Sequence, residues 1–198
     1  APRFIQLASG LVEAKHDCVK VHLATILADE CVEICLRARE RLIDVGLEPK
    51  RIAAITFTNK AAAEMRERAK QLIGRAAKDV VICTFHALGV RIMREDGHVL
   101  GLKPQFSIMD ADDVTSILKD CGGTTDAATA RQWQWTISLW KNMGLNAAQA
   151  EAQAKDDNEK VTARIMARYE ERLAAYQSVD FDDLIGLPLK LLQEHEDV

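Results

Sequence analysis

Two short apolar runs, each ending at a polar corner, constrain this chain more than any other feature. They are RIAAITFT (residues 51–58) and DVVICTF (residues 79–85). Both are rich in β-branched residues and show no polar alternation, the pattern of a strand buried on both faces. The stretch between them is rich in Ala, Glu, Arg and Met, which favours helix from the Thr58 or Asn59 cap to about Gly74. A second helix is expected from His86 to about Asp96. Strand, helix, strand, helix at this spacing is a βαβ unit, so the two strands should run parallel.

The flanks read differently. Val19, Leu23, Ile26, Leu27, Cys31, Cys35 and Leu42 recur at helical spacing, with Arg37, Arg39 and Arg41 suited to a helix C-terminus and Gly46 to its end. After Phe106, FSIMD is a short extended piece. Asp110 then caps a helix through Lys119, with Asp112 and Asp113 in the favourable first turn, and Gly122-Gly123 ends it. Helical patterns follow at about 126–142, 146–155 and 158–177. A last helix starts from Asp180 and is expected to be kinked or interrupted at Pro188. The fold class is therefore α/β: a parallel-sheet segment followed by an all-helical one.

Composition narrows the function classes. Nearly half the residues are apolar, which excludes a disordered chain, and no apolar run is long enough to cross a bilayer. No secretory signal is visible at the start, and five cysteines without framework spacing fit reduced thiols in a cytoplasm. The net charge of −4 conceals an asymmetry: residues 60–103 carry nine basic and five acidic groups, whereas residues 104–198 carry nine and seventeen. The basic stretch begins at the first polar corner, which fits a polyanionic partner. On charge alone, chance clustering on solvated helices is the favoured reading.

A strand that ends in Thr and opens a helix puts backbone N–H groups at the C-terminal edge of a parallel sheet, where open α/β folds bind ligands and where anions are favoured. If the strands are neighbours, Phe57, Thr58, Asn59, Lys60, Thr84, Phe85 and His86 converge on one edge. Rings beside donors and a cation form a platform for single-stranded nucleic acid, with bases on the rings and phosphates on the donors. The other reading makes both phenylalanines core and the polar groups only helix caps.

IAAITFTNKAAAEMRERA resembles motif Ia of UvrD/Rep-type DNA helicases of superfamily 1, and ICTFHALGVRIMRED resembles the family's following TFH segment. FSIMDADDVTSILKD, ISLWKNMGLNAAQAEAQA and YEERLAAYQSVDFDDLIGLPLKLL are similar to its helical subdomain 1B, in the Rep branch. The resemblance runs from about Arg39 to Val198. It implies an incomplete RecA-like sheet at residues 46–105 (domain 1A) and subdomain 1B at 106–198. Residues 1–45 form a divergent helical segment in place of the phosphate-binding region. The family's two motifs line a groove for single-stranded DNA. Carried over by position, Thr56, Phe57, Thr58, Asn59 and Lys60 match the first, and Thr84, Phe85 and His86 the second. Phe57 would meet a base, and Thr58, Asn59 and His86 the backbone or base edges. Arg66 or Arg91 would add charge at most, and neither is counted among the contact residues.

The family's engine is an ATP site built on GxxxxGK[ST], whose glycines let backbone N–H groups cradle phosphates. The resemblance places that loop near Ile26–Val32, where this chain reads ILADECV, and no glycine occurs between Gly10 and Gly46. The Asp-Glu metal motif would fall after residue 198. Without cradle, metal ligand or arginine finger, the chain alone is expected to be no ATPase, with no catalytic residue, cofactor or metal of its own. ATP and Mg²⁺ serve the intact relatives. Sheet edges left uncovered would favour self-association or a protein partner.

His16, Cys18, His22, Cys31 and Cys35 lie within twenty residues but match no standard zinc spacing. Trp133 and Trp140 share a helical face and fit core packing better than a stacking surface with Trp135. The sequence thus points to a helicase fragment that retains single-stranded DNA binding. The alternatives are a non-catalytic interaction module and a decayed relic.

Overall fold

The computed structural model describes residues 22–25 and 52–195. The chain divides into two compact units, residues 1–88 and 89–198.

In the first unit, β1 (His22–Thr25), β2 (Ile52–Thr56) and β3 (Val81–Thr84) form a parallel sheet in the order β1-β2-β3. All five residues of β2 are buried, as its unbroken apolar run requires. Helix α1 (Asn59–Ile73) connects β2 to β3. Its N-cap is Thr58, whose hydroxyl accepts from the Ala61 N–H at 3.1 Å. Its stop is Gly74, whose φ of 57° suits glycine. Met65 and Ala69 of α1 pack on Ile52, Ala54, Val80 and Ile82 to make the core of this unit.

The parallel βαβ expectation holds. The helix expected at 19–43 does not hold at 22–25, where β1 pairs with β2 in the register His22↔Ile52 to Thr25↔Ile55. The hydrogen-bonding demand of one side of β2 overrides a weak local helical pattern. One of the sheet edges expected to be uncovered is therefore occupied. The rest of that segment lies outside the described residues.

The chain continues through α2 (Phe85–Asp96), which crosses the boundary between the units, to β4 (Ser107–Ile108), α3 (Ala111–Gly122), α4 (Ala127–Asn142), α5 (Ala147–Gln153), α6 (Asp157–Ala175), β5 (Ser178–Val179) and α7 (Asp183–Glu194). Asp110 closes a reciprocal capping box with Asp113 at the start of α3, and Gly123, in the left-handed region at φ 67°, ends it. Leu118, Ala130, Ile137, Trp140, Met166 and Tyr169 form the main helical core. A second cluster joins Met93, Leu102, Phe106, Val179, Leu184 and Leu191. FSIMD is extended as expected, and its Ser107–Ile108 pairs in parallel with β5, a short strand that the local pattern does not reveal.

Two close approaches fix the helices. Trp133 lies over Gly122, where a Cβ would fall 2.1 Å from the indole, so Trp133 and Trp140 belong to the packed face, whereas Trp135 is 78% exposed. Pro188 neither breaks nor ends α7, which runs on to Glu194. Pro188 has no N–H for the Leu184 carbonyl, and that carbonyl faces Gly89: a Cβ there would sit 1.8 Å from the oxygen.

Candidate functional site

The βαβ geometry brings the two polar corners together. The β2–β3 register ends at Thr56↔Thr84, so both strands stop at the same level and the next residue of each is a phenylalanine. The Phe57 and Phe85 rings lie 5.4 Å apart between centroids with planes tilted by 47°. Phe85 is half-buried, but Phe57 is 57% exposed and so keeps an open outer face. The reading that makes both rings core therefore fails for Phe57. Phe85 supports the inner side of a ring whose outer surface is open.

The polar residues divide by role. Thr56 and Thr84 are buried. Thr84 accepts from the Ala87 N–H at 3.2 Å and starts α2 as Thr58 starts α1. These threonine hydroxyls are caps that hold two helix N-termini at the sheet edge. Thr58, Asn59, Lys60 and His86 are exposed there. The first turn of α1 holds no acid, so that turn leaves the partial positive charge of its N-terminus uncancelled. Glu64 and Glu67, farther along α1, are paired with Arg68 and Lys70. The edge thus presents an open aromatic face, two helix N-termini and a lysine, a combination suited to an anionic ligand with flat rings.

The model of the UvrD/REP helicase N-terminal domain family matches residues 34–198. The chain belongs to this family. Among curated relatives of this UvrD/REP N-terminal domain, the ATP-dependent DNA helicases Rep of Salmonella typhimurium and of Escherichia coli are each 41% identical over 157 residues, covering 77% of this chain. The ATP-dependent DNA helicase PcrA of Leuconostoc citreum is 40% identical over 160 residues, covering 78%. The chain spans under a quarter of the length of these relatives, 23% of each Rep and 21% of PcrA.

Sequence reasoning missed a polar cluster in the helical unit. Lys141 of α4 reaches Asp180 at 2.6 Å and Asp183 at 2.8 Å, and its ammonium lies 5.3 Å from the Tyr169 ring centroid. The Tyr169 hydroxyl donates to Asp180 at 2.8 Å. Burial opposes the Lys141 charge, but Asp183 and Asp180 outweigh it and raise its pKa above the ordinary value. Burial likewise opposes the Asp180 carboxylate, yet Lys141 and the surrounding donors hold its pKa below the usual value. Burial, with Asp180 nearby, raises that of Asp183. Burial and Asp180 raise the Tyr169 pKa strongly. Next to this cluster, Val114, Leu118, Ile137 and Tyr169 line a cavity of about 270 Å³.

Phe181, between Asp180 and Asp182, is 55% exposed. Asp180 is held by Lys141 and Tyr169, and Asp182 accepts from the Asn142 side chain at 3.1 Å. The run DFDD reads locally as helix-capping acids, and nothing in its composition signals an aromatic clamped from both flanks. Among the described residues no group of three or more His, Cys, Asp or Glu side chains could hold a metal, and no helix is long and apolar enough to cross a membrane. The His16, Cys18, Cys31 and Cys35 candidates lie outside the described residues, as does the His22 side chain.

Proposed function

We propose that the Phe57–Phe85 edge binds single-stranded DNA as part of a UvrD/Rep-type helicase. The observation that carries this reading is the ring pair at the in-register ends of β2 and β3, with Phe57 open on one side. A base stacks on the open face of Phe57. Thr58, Asn59 and His86 meet backbone or base edges, and Lys60 with the helix N-termini meets phosphate. Thr56, Thr84 and Phe85 act from behind by fixing this geometry. Stacking on Phe57 reads no base identity, so binding is insensitive to sequence.

ATP-driven 3′-to-5′ unwinding is the activity proposed for the intact helicase, with ATP and Mg²⁺ as its cofactors and the cytoplasm as its compartment. Residues 46–105 are assigned to domain 1A and 106–198 to subdomain 1B. The sequence contains no GxxxxGK[ST] stretch, so this chain alone is proposed to hydrolyse no ATP. A second reading, a protein-docking role for the helical unit, draws on Trp135 and Leu139 of α4 and Met143 at its C-cap, which are exposed at i, i+4 and i+8.

Fluorescence anisotropy of labelled oligo-dT tests the DNA reading. Wild-type protein binds at low salt, releases as salt rises, and loses binding in Phe57→Ala/His86→Ala. A folded wild-type protein that leaves the oligonucleotide free at low salt would refute it.

A further inference from the structure

We propose that Arg66 is a pre-oriented phosphate-binding residue of the same DNA edge, a role that rests on the single-stranded DNA reading and that the sequence alone did not assign to it. Arg66 lies in the second turn of α1, and its Nε donates to the Ile82 carbonyl of β3 at 3.2 Å. This bond uses one of the five N–H donors of a guanidinium. The four on the terminal nitrogens have no partner among the described residues.

The acids of α1 explain why the guanidinium is available. Glu64 and Glu67 are the acidic residues of α1, and they pair with Arg68 and Lys70. Arg66 and Lys60 pair with no carboxylate among the described residues. Ile82 lies two residues before Thr84, so the anchor is roughly 7 Å along the strand from the level of the aromatic corner. An exposed arginine ordinarily loses side-chain freedom when it binds an anion. Here the carbonyl already holds the planar fork, whose terminal N–H groups match phosphate oxygens two at a time. A strand with a base on Phe57 then carries a neighbouring phosphate to Arg66.

Each phosphate contact to a single strand contributes about −0.7 to the slope of log K against log salt. The experiment measures oligo-dT affinity from 50 to 200 mM salt for wild type, Arg66→Gln, Arg66→Lys, Phe57→Ala and Arg164→Gln, with circular dichroism confirming that each is folded. Arg66→Gln is expected to flatten the slope by about 0.7, so that affinity falls about 2.6-fold less than wild type over that range. Arg66→Lys keeps the slope but binds more weakly, since it keeps the charge and loses the fork. Phe57→Ala weakens binding with the slope unchanged. Arg164→Gln removes an arginine paired with Glu151 in the helical unit and leaves both affinity and slope as in wild type. If Phe57→Ala weakens binding while Arg66→Gln keeps the wild-type slope, the Arg66 role is overturned and the aromatic site stands. If the wild-type protein binds no oligo-dT, both are overturned.

Discussion

Replacing Gly89 with alanine sets two effects of opposite sign against each other. Gly89 is buried within α2, where intrinsic propensity favours alanine over glycine by about 1 kcal/mol. Against this, the new Cβ would lie 1.8 Å from the Leu184 carbonyl oxygen and 2.9 Å from its carbon. Ordinary contact begins at 3.4 Å. The α7 backbone must therefore retreat by roughly 1.5 Å, and no side-chain rotation can relieve a clash with main chain. Overpacking of this kind costs about 1–3 kcal/mol, and the backbone contact puts it at the upper end. The clash wins, with a net loss of about 1–2 kcal/mol. Gly186 supplies the internal control: it lies within α7 with nothing within 4 Å of its added Cβ, so Gly186→Ala should stabilise by about 0.5–1 kcal/mol. Urea unfolding followed by tryptophan fluorescence reads both, since all three tryptophans lie in the same unit as Gly89 and Gly186. A Gly89→Ala protein as stable as wild type, beside a stabilised Gly186→Ala, would refute the proposed close approach.

Three further outcomes follow from the helical unit. Lys141→Met leaves the Asp180 and Asp183 carboxylates buried side by side without their cation and should cost about 3–5 kcal/mol in the same urea assay; a loss below 1 kcal/mol would mean that the cluster is solvated. Tyr169 and Lys141 both have raised pKa values in the folded state, so their stabilisation is complete below the ordinary values of 10.0 and 10.5 and is lost as pH rises beyond them. Thermal melts should therefore fall more steeply above about pH 10 in wild type than in Tyr169→Phe, and parallel curves would contradict the assignment. Asp110→Ala removes the carboxylate that accepts from the Asp112 and Asp113 N–H groups at 2.9 Å and should lower stability by about 1 kcal/mol, read as a shift in the urea midpoint.

The parts legible in the sequence are those with a local cause. Thr58 and Asp110 cap helices because a short polar side chain satisfies N–H groups two or three residues on. Ile52–Thr56 reads as a buried strand because both of its faces are apolar, whereas Val81–Thr84, read the same way, is fully buried only at alternate residues. The meeting of Phe57 and Phe85 was legible once the strands were read as parallel neighbours. What stayed hidden depends on partners far along the chain. His22–Thr25 is a strand because β2 offers it a ladder, and Ser178–Val179 because Ser107–Ile108 does. Lys141 reads as an ordinary C-terminal helix cation until Asp180, nearly forty residues later, folds onto it. Pro188 signals a break, yet the helix runs on past it, and the Leu184 carbonyl it leaves free packs against a glycine far along the chain.

The open face of Phe57 is the central claim, and a ring series at that position tests it most directly. Oligo-dT affinity would be measured for wild type, Phe57→Ala and Phe57→Trp at one low salt concentration. A stacked base is worth about 1–3 kcal/mol, so Phe57→Ala should weaken binding roughly 5- to 150-fold while Phe57→Trp holds or tightens it. Equal affinity across the three proteins would contradict the account.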